Sequence, residues 1–429
     1  MAKSWLVPQP HTPIYNAARP SPDSFCQNLC PGCAHRHLLK EASLNQKESF
    51  VRQKLGRWPD QIHPITSPSQ RTAYRDRVCL NVVEQNRIWS WGMASKEHFF
   101  PLTYCPLQTL AINHLLQKMM EALNQGKVSQ TEFPLRFIII NGRQIIWVIK
   151  SKPQAQVQER MLSLLYAQQA AWQADSDSLW WHWNECCGRR VTAKKTWQKI
   201  WGADYDITDT GLKFGPKCFR QVHPTIYAQA LAQAANFFFP PGQPGSSIVL
   251  VDLFCGIGTS LSFWTKCGLP EENILGVELN GEALQFAQSN FPQAYFLRGT
   301  PEQRIPQILP WAKERGGTGA GTEVGVKAEE IYLFVNPPRL GLTTKLRDFI
   351  LHDLCPTKMI YLSCSPGTLS RDLADLTNPD QQNVKSNYAL QVEAIWPFDF
   401  FPQTQHVENL VLLKSVGECQ KKLNGAKLD

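Results

Sequence analysis

The stretch Ile248-Val249-Leu250-Val251-Asp252-Leu253-Phe254-Cys255-Gly256-Ile257-Gly258 decides the architecture of the second half of the chain. A continuous apolar run bounded by a glycine loop reads as a strand buried on both faces, and such strands belong to parallel sheets. A helical pattern follows the loop. Ile274-Leu275-Gly276-Val277-Glu278 is the next strand, and it ends in a carboxylate about twenty residues beyond the loop. Strand, glycine loop, helix, strand and acid in this order are the parts of a nucleotide site. The glycines let the backbone approach the ligand, and the acid accepts from ribose hydroxyls. One G-x-G with no third glycine at dinucleotide spacing fits adenosylmethionine better than NAD, because there is no pyrophosphate to cradle.

Two later runs deliver polar groups to the same rim. Ile331–Val335 leads into Asn336-Pro-Pro-Arg-Leu-Gly341, and Met359–Leu362 leads into Ser363-Cys364-Ser-Pro-Gly367. Leu369, Leu373 and Leu376 then share one face of a helix opening near Thr368. Cys364 thus stands beyond the carboxyl end of a strand, where parallel sheets present their chemistry. Backbone N–H groups of the following helix would favour its thiolate. Position alone fits a small core residue equally well. The tract from Glu314 to Lys327 is glycine-rich and reads as a mobile surface insertion near 314–328. The last motif, Phe401-Pro-Gln-Thr-Gln-His-Val-Glu408, lies between strand-like Val392–Trp396 and Leu410–Leu413.

Upstream, residues 1–25 are proline-rich and read as an arm. Cys26, Cys30 and Cys33 follow with ligand-like spacing in a turn-forming segment, where three thiolates are costly to hold without a cation. A fourth ligand is sought among Cys105, Cys79 and, for zinc, His35 and His37; the soft sulfur set favours an iron–sulfur cluster. The C-x3-C-x2-C spacing also occurs in radical adenosylmethionine enzymes. Those need repeated strand–helix units after the triad, whereas here one helix from about Ala34 to Leu55 precedes a β-rich region. Tyr74–Val83 reads as a strand, and Leu107–Leu123 and Gln158–Gln173 as helices. Two β-branched runs between Arg136 and Lys150 form a hairpin joined at Asn141-Gly142. Trp180–Trp201 interleaves five tryptophans with Arg189, Arg190, Lys194, Lys195 and Lys199, a pattern that suits single-stranded RNA or, equally, a packed sheet with a solvated face. The division is therefore an arm at 1–25, an α+β region at 26–215 and an α/β domain at 216–429.

The 429 residues have 43% hydrophobic and 19% charged content and a formal net charge of +8. That is a soluble globular composition with a mild bias toward a polyanionic partner. Thirteen cysteines, an odd number, with no signal-peptide pattern and no transmembrane run point to a cytoplasmic protein whose cysteines serve metal binding or catalysis.

Phe219-Arg-Gln-Val222, Asp252–Gly258, Gly276-Val-Glu278, Asn336–Leu342, Ser363–Thr368 and Phe401–Glu408 occur in one order over about 200 residues, and together they resemble the S-adenosylmethionine-dependent RNA uracil-C5 methyltransferases. The cysteine triad, Tyr74-Arg-Asp-Arg-Val78 and Cys105-Pro-Leu107 resemble the iron–sulfur subgroup acting on 23S ribosomal RNA. The resemblance implies a Rossmann-like methyltransferase domain preceded by an α+β iron–sulfur and RNA-recognition region. It implies Cys364 as nucleophile and Glu408 as general base. Gln221, Phe254, Thr259, Glu278, Thr300 and Asn336 would line the methyl donor S-adenosylmethionine, and Cys26, Cys30, Cys33 and Cys105 would hold a 4Fe-4S cluster. The chain departs from these relatives at Asn336, where Asp is usual, and at Thr259 and Ser365, where Asn is frequent. Its cysteine triad is also tighter. Asp372 and His406 are rival bases, and the sequence position of Asp372 suggests a cap or a solvent contact. RNA is the expected partner, without membrane or protein partner. Transfer RNA as substrate and a non-catalytic RNA-binding relative are the alternatives.

Overall fold

The protein is described from a computed structural model covering residues 30–94, 98–126, 128–184, 191, 196–240, 248–316, 330–378 and 388–417. Cys26, Arg189, Arg190, Lys194, Lys195 and most of the glycine-rich tract lie outside the described residues. Strands β10 (Ile248–Leu253), β11 (Ile274–Glu278), β12 (Tyr295–Arg298), β13 (Glu330–Val335) and β14 (Lys358–Ser363) form a parallel sheet in the order β12-β11-β10-β13-β14. Antiparallel β16 (Glu408–Gly417) and β15 (Tyr388–Phe398) complete its far edge. Alternation along β10 explains the continuous apolar run. Val249, Val251 and Leu253 enter one core layer and Ile248 and Leu250 the other, all essentially unexposed. Each such side chain contributes about 1.5–3 kcal/mol of transfer free energy.

One layer holds helices α7 (Pro301–Gly316), α8 (Thr344–Phe349) and α9 (Pro366–Thr377); the other holds α4 (Pro224–Phe238) and α5 (Leu261–Lys266). Helix α9 begins at Pro366, two residues before the start read from the sequence, because proline is well tolerated at N1. Its Leu369, Leu373 and Leu376 are buried as expected.

A second seven-stranded sheet precedes this one: β1 (Arg77–Gln85), β2 (Ile88–Ala94), β3 (Phe99–Pro101), β4 (Leu135–Asn141), β5 (Gln144–Ile149), β6 (Ser178–Trp183) and β7 (Trp197–Gly202), in the order β3-β2-β1-β4-β5-β6-β7. Helices α2 (Leu110–Gln125) and α3 (Ala155–Gln173) cover one face. The hairpin is present, but its two-residue loop is Gly142-Arg143 rather than Asn141-Gly142. Asn141 is instead a fully buried strand residue whose amide donates to the carbonyls of Gly215 and Cys218. Strand alternation also divides the tryptophans. Trp181 and Trp201 pack the covered core, while Trp180 and Trp197 lie on the other face under Lys199 and Lys217, at 6.0 and 4.8 Å from the ring centres.

Helix α1 (Lys40–Lys54) is shorter than the sequence pattern indicates, since residues 30–39 form turns held by bonds such as Leu38 N–H to His35 O. Its Val51 and Leu55, just beyond its end, are buried in the core of the parallel sheet, not in that of the first sheet. The chain then runs beside β15, bridging Ile62 with Ile395 and Thr66 with Phe398. No helix among the described residues is long and apolar enough to cross a membrane.

Candidate active site

The rim formed by the carboxyl ends of β10, β11, β13 and β14 carries the polar groups picked out in the sequence. Cys364 is half-buried between β14 and α9. Strand β16 runs antiparallel to β14 with Ser363 opposite Asn409 and Leu362 opposite Leu410. Carrying that register one residue further sets Glu408 across from Cys364, and the two groups interact electrostatically. Glu408 is only 3% exposed, and burial pushes its carboxyl up to about 8, with the Arg339 guanidinium acting the other way.

Arg339, in the Asn336–Gly341 run, carries no role legible from its sequence position alone. Its guanidinium bonds the Cys364 side chain and lies within electrostatic reach of Glu408 and His406. The Pro-Pro-Arg run leaving a buried strand was the available signal. The local backbone favours the Cys364 thiolate but does not decide its state. Burial and the Glu408 charge raise the thiol above its ordinary value, and Arg339 and the local backbone offset this only in part.

The rival bases separate. His406 is half-buried at the same rim, and its ring pKa is lowered by burial, then by Arg339, Lys47 and Arg75. Asp372 is neither a cap nor a solvent contact. It is fully buried and accepts from Leu342 N–H and Tyr361 O–H, both at 2.8 Å, and pairs with Arg347 and Arg371 at 3.1 and 2.6 Å. With Thr368 O–H donating to Arg339 O at 3.1 Å, this fastens the loop carrying Arg339 against the Cys364 strand.

Next to it, Phe254 N–H and Cys255 N–H both donate to Val277 O, which folds the glycine loop over β11. The loop needs unusual backbone: Phe254 has φ of 72° and Gly258 a φ of 86°, where a Cβ would meet the Phe291 ring at 2.7 Å. Glu278 accepts from Gly256 N–H at 3.1 Å and Asn280 N–H at 2.6 Å. A donor nucleoside fits this rim on three counts. Space above Gly256 is open to 4 Å, Glu278 closes one side, and the buried Asp252 Oδ1 has no hydrogen-bond partner. Asn336 at the end of β13 hydrogen-bonds Tyr227, whose hydroxyl lies within electrostatic reach of Asp252 and Glu408. Gln221 and Thr259 are half-buried on the loops before α4 and before α5, and Thr300 stands just before α7, where its N–H donates to Gln303.

The cysteine region is less complete. Cys30, Cys33 and Cys105 are half-buried; Cys105 lies within electrostatic reach of Cys30, and Cys33 and Cys105 both act on Arg75. Asn113 bonds both the N–H and the carbonyl of Cys105. Among the described residues, however, no group of three or more His, Cys, Asp or Glu side chains is placed to hold a metal ion, and Cys26 lies outside them. His35 turns its Nδ1 to Ser43 Oγ at 3.0 Å.

A pH signature follows from Glu408. Its folded-state pKa lies above the ordinary 4.5, so the stability it contributes is complete below about 4.5 and is lost as pH rises through about 8. Between about pH 5 and pH 9, Glu408→Gln should gain about 4 kcal/mol on the wild-type protein in denaturant melts. An unchanged gap would show that the carboxyl is not held protonated by burial.

Residues 326–416 match the family described as tRNA (uracil-5-)-methyltransferase. An RNA methyltransferase of Thermosynechococcus vestitus is 26% identical over 94% of this chain and 87% of its own, and one of Clostridium tetani is 25% identical over 96% and 86%. Neither has a characterised activity. Among solved structures, the Pyrococcus abyssi tRNA (uracil-54, C5)-methyltransferase in complex with S-adenosyl-L-homocysteine has a TM-score of 0.62 at 18% identity, over 90% of this chain and 86% of that one. That likeness carries the Rossmann-like α/β fold. The chain is thus similar to RNA methyltransferases over nearly its whole length, and to the tRNA (uracil-5-)-methyltransferase family over residues 326–416.

Proposed function

We propose that the chain methylates C5 of a uridine in RNA, with Cys364 as nucleophile and Glu408 as base. The observation that carries this is the β14–β16 register, which sets a buried carboxyl across from a half-buried thiol with Arg339 reaching both. Gln221, Phe254, Thr259, Glu278, Thr300 and Asn336 would hold S-adenosylmethionine, which supplies an electrophilic sulfonium methyl group when bound. Uracil C5 is too poor a nucleophile by itself. The Cys364 thiolate adds to C6, and the displaced electron pair makes C5 nucleophilic, splitting one hard step into easier ones. Once C5 carries its methyl group, Glu408 takes the C5 proton. The C5–C6 double bond reforms, and the C6–S bond breaks with its electron pair returning to sulfur. A base with pKa near the working pH is well matched to that task. Arg339 favours the thiolate form that starts the cycle. The uridine must leave its stack to reach Cys364, so an RNA loop or opened helix is the substrate.

Large-subunit ribosomal RNA is the favoured substrate, on the resemblance of Cys26, Cys30, Cys33 and Cys105 to the iron–sulfur subgroup. A 4Fe-4S centre would take these four cysteines as its ligands. Transfer RNA is the second reading, favoured by the description of the matched family. Labelled methyl donor incubated with separated ribosomal and transfer RNAs distinguishes them. Label in 5-methyluridine of 23S RNA is the expected result; label only in transfer RNA supports the second reading, and label in neither overturns both. Iron and sulfide assayed in the same anaerobic preparation should show a cluster; metal-free active protein would remove it from the account.

A further inference from the structure

The base-bearing segment is held from the opposite end of the chain. Lys47 on α1 is 1% exposed, and its ammonium contacts Asp399 Oδ1 at 2.5 Å and donates to Phe401 O at 3.0 Å. Asp399 is itself fully buried and takes a second ion pair from Arg71 at 2.7 Å. Phe401 O also accepts from the N–H and O–H of Thr404, at 3.1 and 2.8 Å. The Thr404 hydroxyl in turn accepts from His406 N–H at 3.2 Å, two residues before Glu408. Tyr74 O–H donates to Pro402 O and His35 N–H to Gln403 O, so three consecutive carbonyls are held by the N-terminal segment. A buried ammonium is costly, and Arg71 already pairs with Asp399, so the presence of Lys47 calls for an account beyond packing. A loop that only needed to stay folded could be covered by apolar side chains of the same volume.

We infer that Lys47 and Thr404 are positioning residues for the base, passing the placement of Phe401 O through the Thr404 hydroxyl to the His406–Glu408 backbone. This rests on the reading of Glu408 as the base that releases the adduct. Glu408 must meet a proton on C5 of an RNA-bound ring, and displacements near 1 Å can cost about 100-fold in rate. The first step, attack by Cys364, does not use Glu408. A misplaced base therefore slows release of the covalent enzyme–RNA adduct without preventing its formation.

Thr404→Val removes the hydroxyl at nearly constant volume, and Thr404→Ser restores it. Lys47→Met combined with Asp399→Asn removes the pair without stranding Asp399. Each is compared with the wild-type enzyme by kcat and KM for RNA, by the fraction of protein in denaturation-resistant RNA adduct during turnover, and by melting temperature. Thr404→Val and the double variant should lower kcat at least about 10-fold with KM little changed. Their adduct fraction should rise, and Thr404→Ser should return both quantities toward wild type. If turnover per folded molecule and adduct fraction match wild type in Thr404→Val, the inference fails whatever the melting temperature does. If the double variant does not fold, the Thr404 variants decide alone. Failure of the underlying reading is seen separately, because Glu408→Gln would then accumulate no covalent adduct.

Discussion

Cys364→Ala is expected to abolish methyl transfer to uridine, by roughly 10⁴- to 10⁶-fold, while leaving the methyl donor bound. The size of the effect follows from the chemistry. Without a nucleophile at C6, uracil C5 lacks the electron density to take up a methyl group, and no neighbouring group can replace sulfur. Asp372 is committed to Tyr361, Leu342 and two arginines. The donor rim is built from β10, β11 and β13, so equilibrium dialysis with S-adenosylmethionine should give nearly the wild-type affinity. Residual uridine methylation within 100-fold of wild type would require another nucleophile. Because burial and Glu408 raise the Cys364 thiol, wild-type turnover should climb with pH through the neutral range.

Glu408→Gln is expected to stop the cycle at a later point. Sulfur still adds to C6 and C5 still becomes methylated, but its proton has no acceptor. Turnover should fall about 10²- to 10⁴-fold, and a covalent adduct carrying the labelled methyl group should accumulate. A fall in turnover without adduct would assign Glu408 to binding or to an earlier step. The contrast with Cys364→Ala, which forms no adduct at all, separates the two roles.

The parallel sheet was legible because its strands are long apolar runs between glycine and proline signals, as at Ile248–Gly258 and Met359–Pro366. Helix α1 started six residues late because the turns at 30–39 are set by contacts such as His35 N–H to Gln403 O, which no local pattern encodes. Asn141 looked like a turn residue, yet its amide serves carbonyls more than seventy positions away. Asp372, Arg339, Tyr227 and Lys47 share that character, since each owes its role to partners distant in sequence. Asn336 bonds Tyr227 beside the buried Asp252 and Glu408, where its neutral amide avoids adding a third carboxyl. Thr259 and Ser365 have no comparable account in the structure.

The central claim is that Cys364 attacks uridine C6 and Glu408 later removes the C5 proton. A target RNA with 5-fluorouridine at the modified position tests it most directly, because fluorine at C5 cannot leave as a proton does. In the presence of S-adenosylmethionine the account predicts a denaturation-resistant protein–RNA adduct, mapped to Cys364 by peptide mass spectrometry and absent from Cys364→Ala. Release of free methylated RNA without adduct, or an adduct on another residue, would contradict it.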